Sequence, residues 1–410
     1  MTRCTGVLIL LCSLSAITFL DRLAIAVTEP GIRADLKLGP DQWGWVLGAY
    51  VLANALFEIP SGARGDRRGQ RSELTRIVSW WSGFTIATGW CRNFVQMVGA
   101  RFFFGLGTAG AYPNASGVIA RWFPEQDHAR AQGAVWAAGR LGAALAPLLL
   151  VPLERVLGWR AVFWVMGAVG AVWAVVWWRS FRTPTEYEEV THHGPHDLVV
   201  APVDKNVEIP WRQLLELRQL WLIMAAYFCY AWGSWFFFGW FTTWMIRGKG
   251  FTIEQMGIFA SFPFVMAMFG NLIGGWLSRS LILRIGAVRA YRWVTACSLT
   301  VGAALLVAMS LVRGHAAVVA LATLSFGVMD LMLPSAWAMC MGLGGRYGGT
   351  ATAMMNTAGN LGGWICALTF GYVVEATGDY SLPLQVIALM VLVAALLFAR
   401  VDCVHGLNNA

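Results

Sequence analysis

Charge is what this sequence has least of. Asp, Glu, Lys and Arg make up 13% of its 410 residues, against 58% hydrophobic residues and a mean hydropathy of +0.59. A soluble domain carries about 25% charged residues, and a water-soluble core of this length could not hide so much apolar surface. Paired cysteines are missing too. The eight Cys are scattered without C-x-x-C or Cys/His ligand spacing, and most fall inside apolar segments (Cys12, Cys229, Cys297, Cys366). They read as buried free thiols, which excludes a disulfide scaffold and a cysteine metal site. His192, His193 and His196 cluster in a polar stretch without partners and read as solvated. No metal and no cofactor are expected. There is no G-x-x-x-x-G-K-S/T loop for a nucleotide, no H-E-x-x-H and no Ser/His/Asp set, so an enzyme is not expected. The net charge of +8 would point to nucleic acid in a soluble protein. No basic cluster with interleaved aromatics stands outside the apolar segments, so nucleic acid is not a partner.

What the chain has in abundance is long apolar runs. They fall at 7–27, 42–62, 75–92, 94–120, 131–152, 160–179, 218–245, 254–277, 291–312, 315–342, 350–374 and 383–400. A bilayer-spanning helix needs about 20 mostly apolar residues, so these predict twelve transmembrane helices in an all-α membrane protein whose partner is the lipid bilayer. Many of the 22 Trp stand near predicted helix ends, where indole favours the headgroup region. The first run follows Arg3 as a secretory signal would, but it continues without a cleavage site into Asp21-Arg22 and is counted as segment 1. Arg64, Arg67, Arg68 and Arg71, then Arg121 and Arg130, then Arg279, Arg284, Arg289 and Arg292 collect in alternate loops. By the positive-inside rule those loops and both termini are cytoplasmic.

The texture changes between segments 6 and 7. Residues 180–215 are polar and contain Pro with Glu186, Glu188, Glu189, Asp197, Asp204 and Lys205, which reads as a cytoplasmic linker. It divides an N-terminal six-helix bundle, 1–179, from a C-terminal one, 216–410. Gly62-Ala-Arg-Gly-Asp66-Arg67 after segment 2 is echoed by Gly274-Gly-Trp-Leu-Ser278-Arg279 after segment 8, the spacing that duplicated, pseudo-symmetric halves require.

Gly62-Ala63-Arg64-Gly65-Asp66-Arg67-Arg68-Gly69-Gln70-Arg71 matches G-x-x-x-D-R-x-G-x-R. That is the signature of the major facilitator superfamily between helices 2 and 3, and the sequence resembles that family. Physically, Gly62 permits close helix approach, and Asp66 can take Arg partners or face a positively polarised helix N-terminus. The resemblance implies a latch on the cytoplasmic side, with Glu58, Gly62, Asp66, Arg67 and Arg71 as gating residues. A second set narrows the likeness: Phe19-Leu20-Asp21-Arg22, Phe57-Glu58-Ile59-Pro60-Ser61-Gly62, Arg101 with Gly105-Leu106, Tyr112-Pro113-Asn114 and Arg121-Trp122-Phe123-Pro124. With Trp235-Phe236-Phe237, Ser335-Ala336-Trp337 and Asn356 through Gly363 it covers nearly the whole chain and is similar to the anion:cation symporter family. That family includes bacterial D-galactonate and hexuronate transporters, sialin and the vesicular glutamate transporters. The likeness implies that Arg22 neutralises a substrate carboxylate, that Asp21 takes part in proton coupling, and that Arg101 meets a carboxylate seven residues on. Here that position is Thr108, which cannot carry a proton at physiological pH, so the coupling mechanism does not transfer whole.

The same residues stand out without the family. Asp21, Arg22, Glu58, Arg101, Arg140 and Asp330 lie inside apolar segments. Each costs about 2.5–3.5 kcal/mol at the bilayer centre, and six together rival the ~5–15 kcal/mol stability of a whole fold. They must face a cavity or each other. Asp21 and Arg22 point about 100° apart on a helix and so need separate partners. Arg101 is either a structural tether or a substrate group, and Arg140 either joins helices or binds an anion. Glu58 suits the gate. Asp330 is a second protonation site, against a purely structural hydrogen bond. Tyr50, Asn54, Thr108, Asn114, Tyr227, Ser335, Asn356 and Asn360 supply polar groups for a hydroxylated anion, and Trp235 and Phe236 could stack on a sugar face.

The sequence therefore predicts a monomeric secondary transporter of the cell inner (plasma) membrane, moving a small organic anion, foremost a sugar acid such as a hexuronate or aldonate. Protons are the expected coupling ion, and alternating access the expected mechanism. An uncoupled facilitator or exchanger of the same solutes remains the alternative, ahead of a polytopic receptor or enzyme.

Overall fold

The computed structural model describes residues 3–182, 209–252, 255–256 and 259–403. The His192–His196 cluster, the acidic residues of the expected linker and most of 180–215 lie outside them. Among the described residues every regular element is helical. The helices are α1 Arg3–Val27, the short α2 Glu29–Leu36, α3 Pro40–Arg68, α4 Gln70–Trp90, α5 Phe94–Thr108, α6 Ala111–Trp122 and α7 His128–Ser180. After them come α8 Trp211–Glu216, α9 Arg218–Gly239, α10 Phe262–Ile285, α11 Ala287–Leu311, α12 His315–Asp330, α13 Leu333–Gly344, α14 Gly348–Thr377 and α15 Leu382–Phe398.

By length and composition, six helical stretches among the described residues are apolar enough to cross a membrane. Two of them, Glu125–Ser180 and His315–Thr377, run 56 and 63 residues, more than twice the ~20 that a bilayer core requires. Each holds two spans. The break in α7 is Gly158, at φ 79° and ψ 163°, a backbone conformation that a residue with a Cβ rarely adopts. Spans are likewise built from α5 with α6, from α9 with a π-helical turn at Trp244–Gly248, and from α12 with α13. Together with α1, α3, α4, α10, α11, α14, α15 and the two arms of α7 these make twelve spans.

Local chemistry explains the helix starts. Proline occupies the first turn of α3, α10, α13 and α15, where its missing N–H costs nothing. Asn93 caps α5 by accepting the Gln96 amide at 2.9 Å.

The chain forms two compact units. The first comprises Met1–Pro124, Gly142–Pro210 and Arg346–Ala353, and the second Glu125–Leu141, Trp211–Gly345 and Met354–Ala410. Each half of the sequence thus lends the other's unit one short piece. In the first unit Ile25, Ile32, Trp43, Val46, Met97 and Phe163 form a buried apolar cluster that docks α2. In the second, the Phe237 and Phe326 rings stack at 4.4 Å, and Phe236 packs against Phe241, Trp244 and Phe370. Phe236 is fully buried in this aromatic core, so it does not offer a face to a sugar; Trp235 is half-buried.

Trp45, Leu148, Val172, Trp221, Trp276, Trp293 and Leu396 are all exposed. A soluble protein rarely bares so much apolar surface, and a lipid-facing one needs it. The same surface corrects the reading of the thiols. Cys229 and Cys366 are buried and Cys12 is half-buried, but Cys297 is exposed on α11, because an apolar segment has a lipid face as well as an inner one.

Candidate functional site

The first unit holds three ionisable groups, buried Asp21 and Arg101 and half-buried Arg22, each with at least one enclosed polar atom that has no hydrogen-bond partner among the described residues. α1 presents Asp21 and Arg22 on different faces, and α5 brings Arg101. Asp21 is 2% exposed, and neither carboxylate oxygen has a hydrogen-bond partner among the described residues. Its electrostatic neighbours are the Arg101 guanidinium and the Trp81 indole, whose N–H is likewise without a partner. The Arg22 guanidinium stands 5.6 Å from the Phe19 ring centroid and 5.7 Å from those of Tyr50 and Tyr112. Arg101, as buried as Asp21, lies 4.4 Å from the Phe104 ring centroid and 5.4 Å from that of Tyr50. Tyr50 is thus flanked by both cations, and the Nε of each arginine is buried without a partner. Tyr112 is fixed by a hydroxyl–hydroxyl bond of 2.9 Å to Ser15.

Magnitudes decide what such a cluster is for. A desolvated cation–π contact contributes about 2 kcal/mol or somewhat more, while taking a cation out of water costs several kcal/mol. The rings hold the guanidinium groups in place but do not neutralise them. Two arginines and one aspartate leave one positive charge, which suits an anion with oxygen acceptors.

Thr108 lies seven residues after Arg101, two turns on and on the same face of α5. It accepts from Asn54 Nδ2 at 3.2 Å and donates to the Gly105 carbonyl at 3.1 Å. Asn54 and Thr108, both expected at the substrate, spend these bonds on each other and on the backbone. Asn114 donates to the Gly110 and Ser61 carbonyls at 2.8 and 3.3 Å, which fastens the break between α5 and α6.

The second unit holds a buried ion pair of the opposite character. Asp330 accepts from Arg140 Nε at 2.7 Å and Nη2 at 3.3 Å, from the Tyr230 hydroxyl at 2.7 Å and from Asn271 Nδ2 at 2.9 Å. Four donors saturate the carboxylate. Arg140 is also 5.1 Å from the ring centroids of Phe238 and Phe326. Sequence reasoning named both charges without pairing them, and it missed Tyr230 and Asn271. The one available signal was a polar residue inside an apolar run. Tyr227 accepts from Trp337 Nε1 at 3.2 Å, and Ser335 shares a 2.6 Å bond with Ser278. Asn356 and Asn360 are half-buried one turn apart on α14.

The signature loop divides its residues among separate tasks. Asp66 accepts from the backbone N–H and the hydroxyl of Thr350, both at 2.7 Å, at the N-terminus of the 30-residue α14. A carboxylate there satisfies otherwise unbonded amides and meets the positive end of the helix dipole. Gly62 permits the approach: a Cβ there would lie 2.8 Å from both the Gly349 carbonyl oxygen and the Ala353 Cβ. Arg71 is engaged at the end of α7. Its Nη2 and Nε donate to the Trp178 carbonyl at 2.7 and 3.2 Å, near the C-terminus of α7, and its guanidinium stacks 4.6 Å over the Trp178 ring. Arg67 is exposed, and Glu58 is buried in α3. Glu73, which sequence reasoning passed over, is the buried anchor of the loop, held by Arg64 at 3.0 Å and Arg76 at 2.5 Å.

Known proteins agree with this architecture. The chain is 30% identical over 392 residues to a probable sulfoacetate transporter of Cupriavidus necator, covering 94% of this chain and 91% of that protein. It is 27% identical over 399 residues to the D-galactonate transporter of Escherichia coli O6:H1, covering 93% and 91%. A crystal structure of the transporter FucP in the outward conformation matches with a TM-score of 0.76 at 16% identity, covering 97% of this chain and 99% of that one, a likeness of fold. The family model described as Major Facilitator Superfamily matches residues 11–367. Twelve spans, the signature decad and matches of this extent lead to one conclusion: the chain is a multi-pass membrane protein of the Major Facilitator Superfamily.

Proposed function

We propose that this protein carries a small organic anion across the bacterial inner membrane by alternating access, with proton movement coupled to that of the solute. A sugar acid such as a hexuronate or aldonate is the first candidate, and a short sulfonate-bearing carboxylate the next, since the relatives are named as a D-galactonate transporter and a probable sulfoacetate transporter. The observation that carries the reading is the pair of guanidinium groups, half-buried Arg22 and buried Arg101, whose Nε atoms are enclosed without hydrogen-bond partners on the same unit as the buried Asp21 carboxylate. Arg22 takes the substrate carboxylate or sulfonate, and Arg101 and the Tyr50 ring complete the pocket. Tyr227, Ser335, Asn356 and Asn360 are further candidates to offer hydroxyl and amide groups to the solute. Asp21 carries the coupling proton. Asp330 is a second coupling position, because protonating it would weaken its charge-assisted bonds to Arg140. Asp66 on α14, with Gly62, Arg67, Arg71 and Glu58, latches the cytoplasmic side, where both termini lie. The transporter works as a monomer.

Uptake into proteoliposomes across a panel of sugar acids and sulfonates, with and without an imposed pH gradient, tests this. Accumulation should require the gradient, and Asp21→Asn should retain counterflow while losing accumulation. A second reading, uncoupled facilitation or exchange, is favoured by Thr108, whose hydroxyl is bound to Asn54 and Gly105 where a second carboxylate could have stood. Wild-type uptake that survives dissipation of the pH gradient would decide for it.

A further inference from the structure

The second unit carries a groove of about 600 Å³ on the outer face of α11, away from the ionic centres. Its walls are Arg289, Arg292, Trp293, Ala296, Cys297, Thr300 and Val301, with Ala399 from the end of α15. These α11 positions recur every three or four residues and form one stripe along the helix. The stripe changes character along its length. Its first turn is cationic, its second carries an exposed Trp293, and the rest is small or apolar with an exposed Val301. From Arg289 to Val301 the helix rises about 18 Å, close to the ~15 Å of one leaflet of a ~30 Å hydrocarbon core.

We infer that this groove binds an anionic phospholipid, headgroup against Arg289 and Arg292 and one acyl chain along Ala296, Thr300 and Val301. Charge complementarity selects this occupant. Arg289 is exposed at the helix end and forms no ion pair among the described residues, whereas Arg292 is partly engaged. Its Nε donates to the Val401 carbonyl at 2.5 Å, and its Nη2 lies 3.7 Å from the Asp402 carboxylate. Two arginines against one aspartate leave a positive headgroup site. A zwitterionic lipid would satisfy the apolar stripe equally but would gain no net attraction at Arg289. Trp293, one turn inside Arg289 and next to Arg292, sits where an indole prefers the headgroup boundary. Arg292, by holding Val401 and Asp402 just after α15, would link lipid occupancy to the seating of that helix.

The test uses the full chain purified in detergent, with phosphatidylglycerol, phosphatidylcholine of the same acyl chains, or water-soluble glycerol phosphate added. Lipid retention is read by native mass spectrometry, and groove occupancy by the rate at which a maleimide modifies the exposed Cys297, identified by peptide mass. A surface-near basic residue strengthens binding of an anionic lipid by about fivefold. Phosphatidylglycerol should therefore be retained about fivefold more tightly than phosphatidylcholine and should slow Cys297 labelling, and Arg289→Gln should abolish the preference. Val301→Trp, which fills the apolar end at an exposed position, should weaken retention of both lipids. The inference is overturned by equal retention of the two lipids in the wild type, or by an unchanged preference in Arg289→Gln. It is also overturned if glycerol phosphate protects Cys297 as well as phosphatidylglycerol does, which would make the groove a site for soluble phosphates.

Discussion

The two buried ionic centres use the same residue types to opposite ends. In the second unit Asp330 receives two bonds from Arg140 and one each from Tyr230 and Asn271, so every charge is met within the protein. In the first unit, among the described residues, neither Asp21 oxygen has a hydrogen-bond partner within normal geometry, and Arg22 and Arg101 each leave Nε unbonded among aromatic rings. A saturated pair holds helices together. Groups left unsatisfied in a low-dielectric site retain the capacity to bind, because a ligand that supplies the missing acceptor recovers the desolvation already paid by the fold.

The largest expected effect breaks the saturated centre. Asp330→Ala removes the carboxylate that faces the buried Arg140 and should cost about 3–5 kcal/mol in denaturant unfolding of the detergent-solubilised protein. Replacing both partners by Leu should recover most of that loss, since no charge is then stranded. Arg101→Met in the first centre should cost less than about 1 kcal/mol, because the lost ring contacts are offset by the charge no longer buried. Next in size, Thr108→Glu places a carboxylate two turns from Arg101 and converts the first centre toward the second. Anion affinity should fall about tenfold, or ~1.4 kcal/mol, in a binding titration, while stability holds or rises. The smallest effect belongs to an exposed control, the Asp35–Arg160 pair. Arg160 holds the Asp35 carboxyl below the usual carboxylate range. Its contribution is therefore present above that range and lost as pH falls through the lowered value. Exposed pairs are weak, so Arg160→Gln should shift Tm at neutral pH by less than about 2 °C.

Much of this was legible in the sequence, for identifiable reasons. Run length and composition predict the spans because every backbone polar group must be satisfied within the helix in lipid. The frame of Gly62–Arg71 points to the Major Facilitator Superfamily, to which the family model over residues 11–367 assigns the chain. Partnerships were not legible. Arg140 meets Asp330 across 190 positions and Asp66 meets Thr350 across 284, and nothing local in either segment specifies the other. The contact of Arg71 with the Trp178 carbonyl near the end of α7, across 107 positions, was equally invisible. Which face of an apolar helix meets lipid was equally hidden, so Cys297 was read as buried and Phe236 as available. A charge inside an apolar run announces that it must be compensated, but does not say whether by the protein or by a ligand.

Whether the first centre binds an anion is tested most directly by titrating purified wild type, Arg22→Ala and Asp330→Asn with the same panel of sugar acids and sulfonates. The expected result is saturable binding of at least one anion by the wild type, and its loss by about a hundredfold or more in Arg22→Ala, or ~2.7 kcal/mol, with Tm unchanged. Equal affinity in the wild type and a folded Arg22→Ala protein would contradict the assignment.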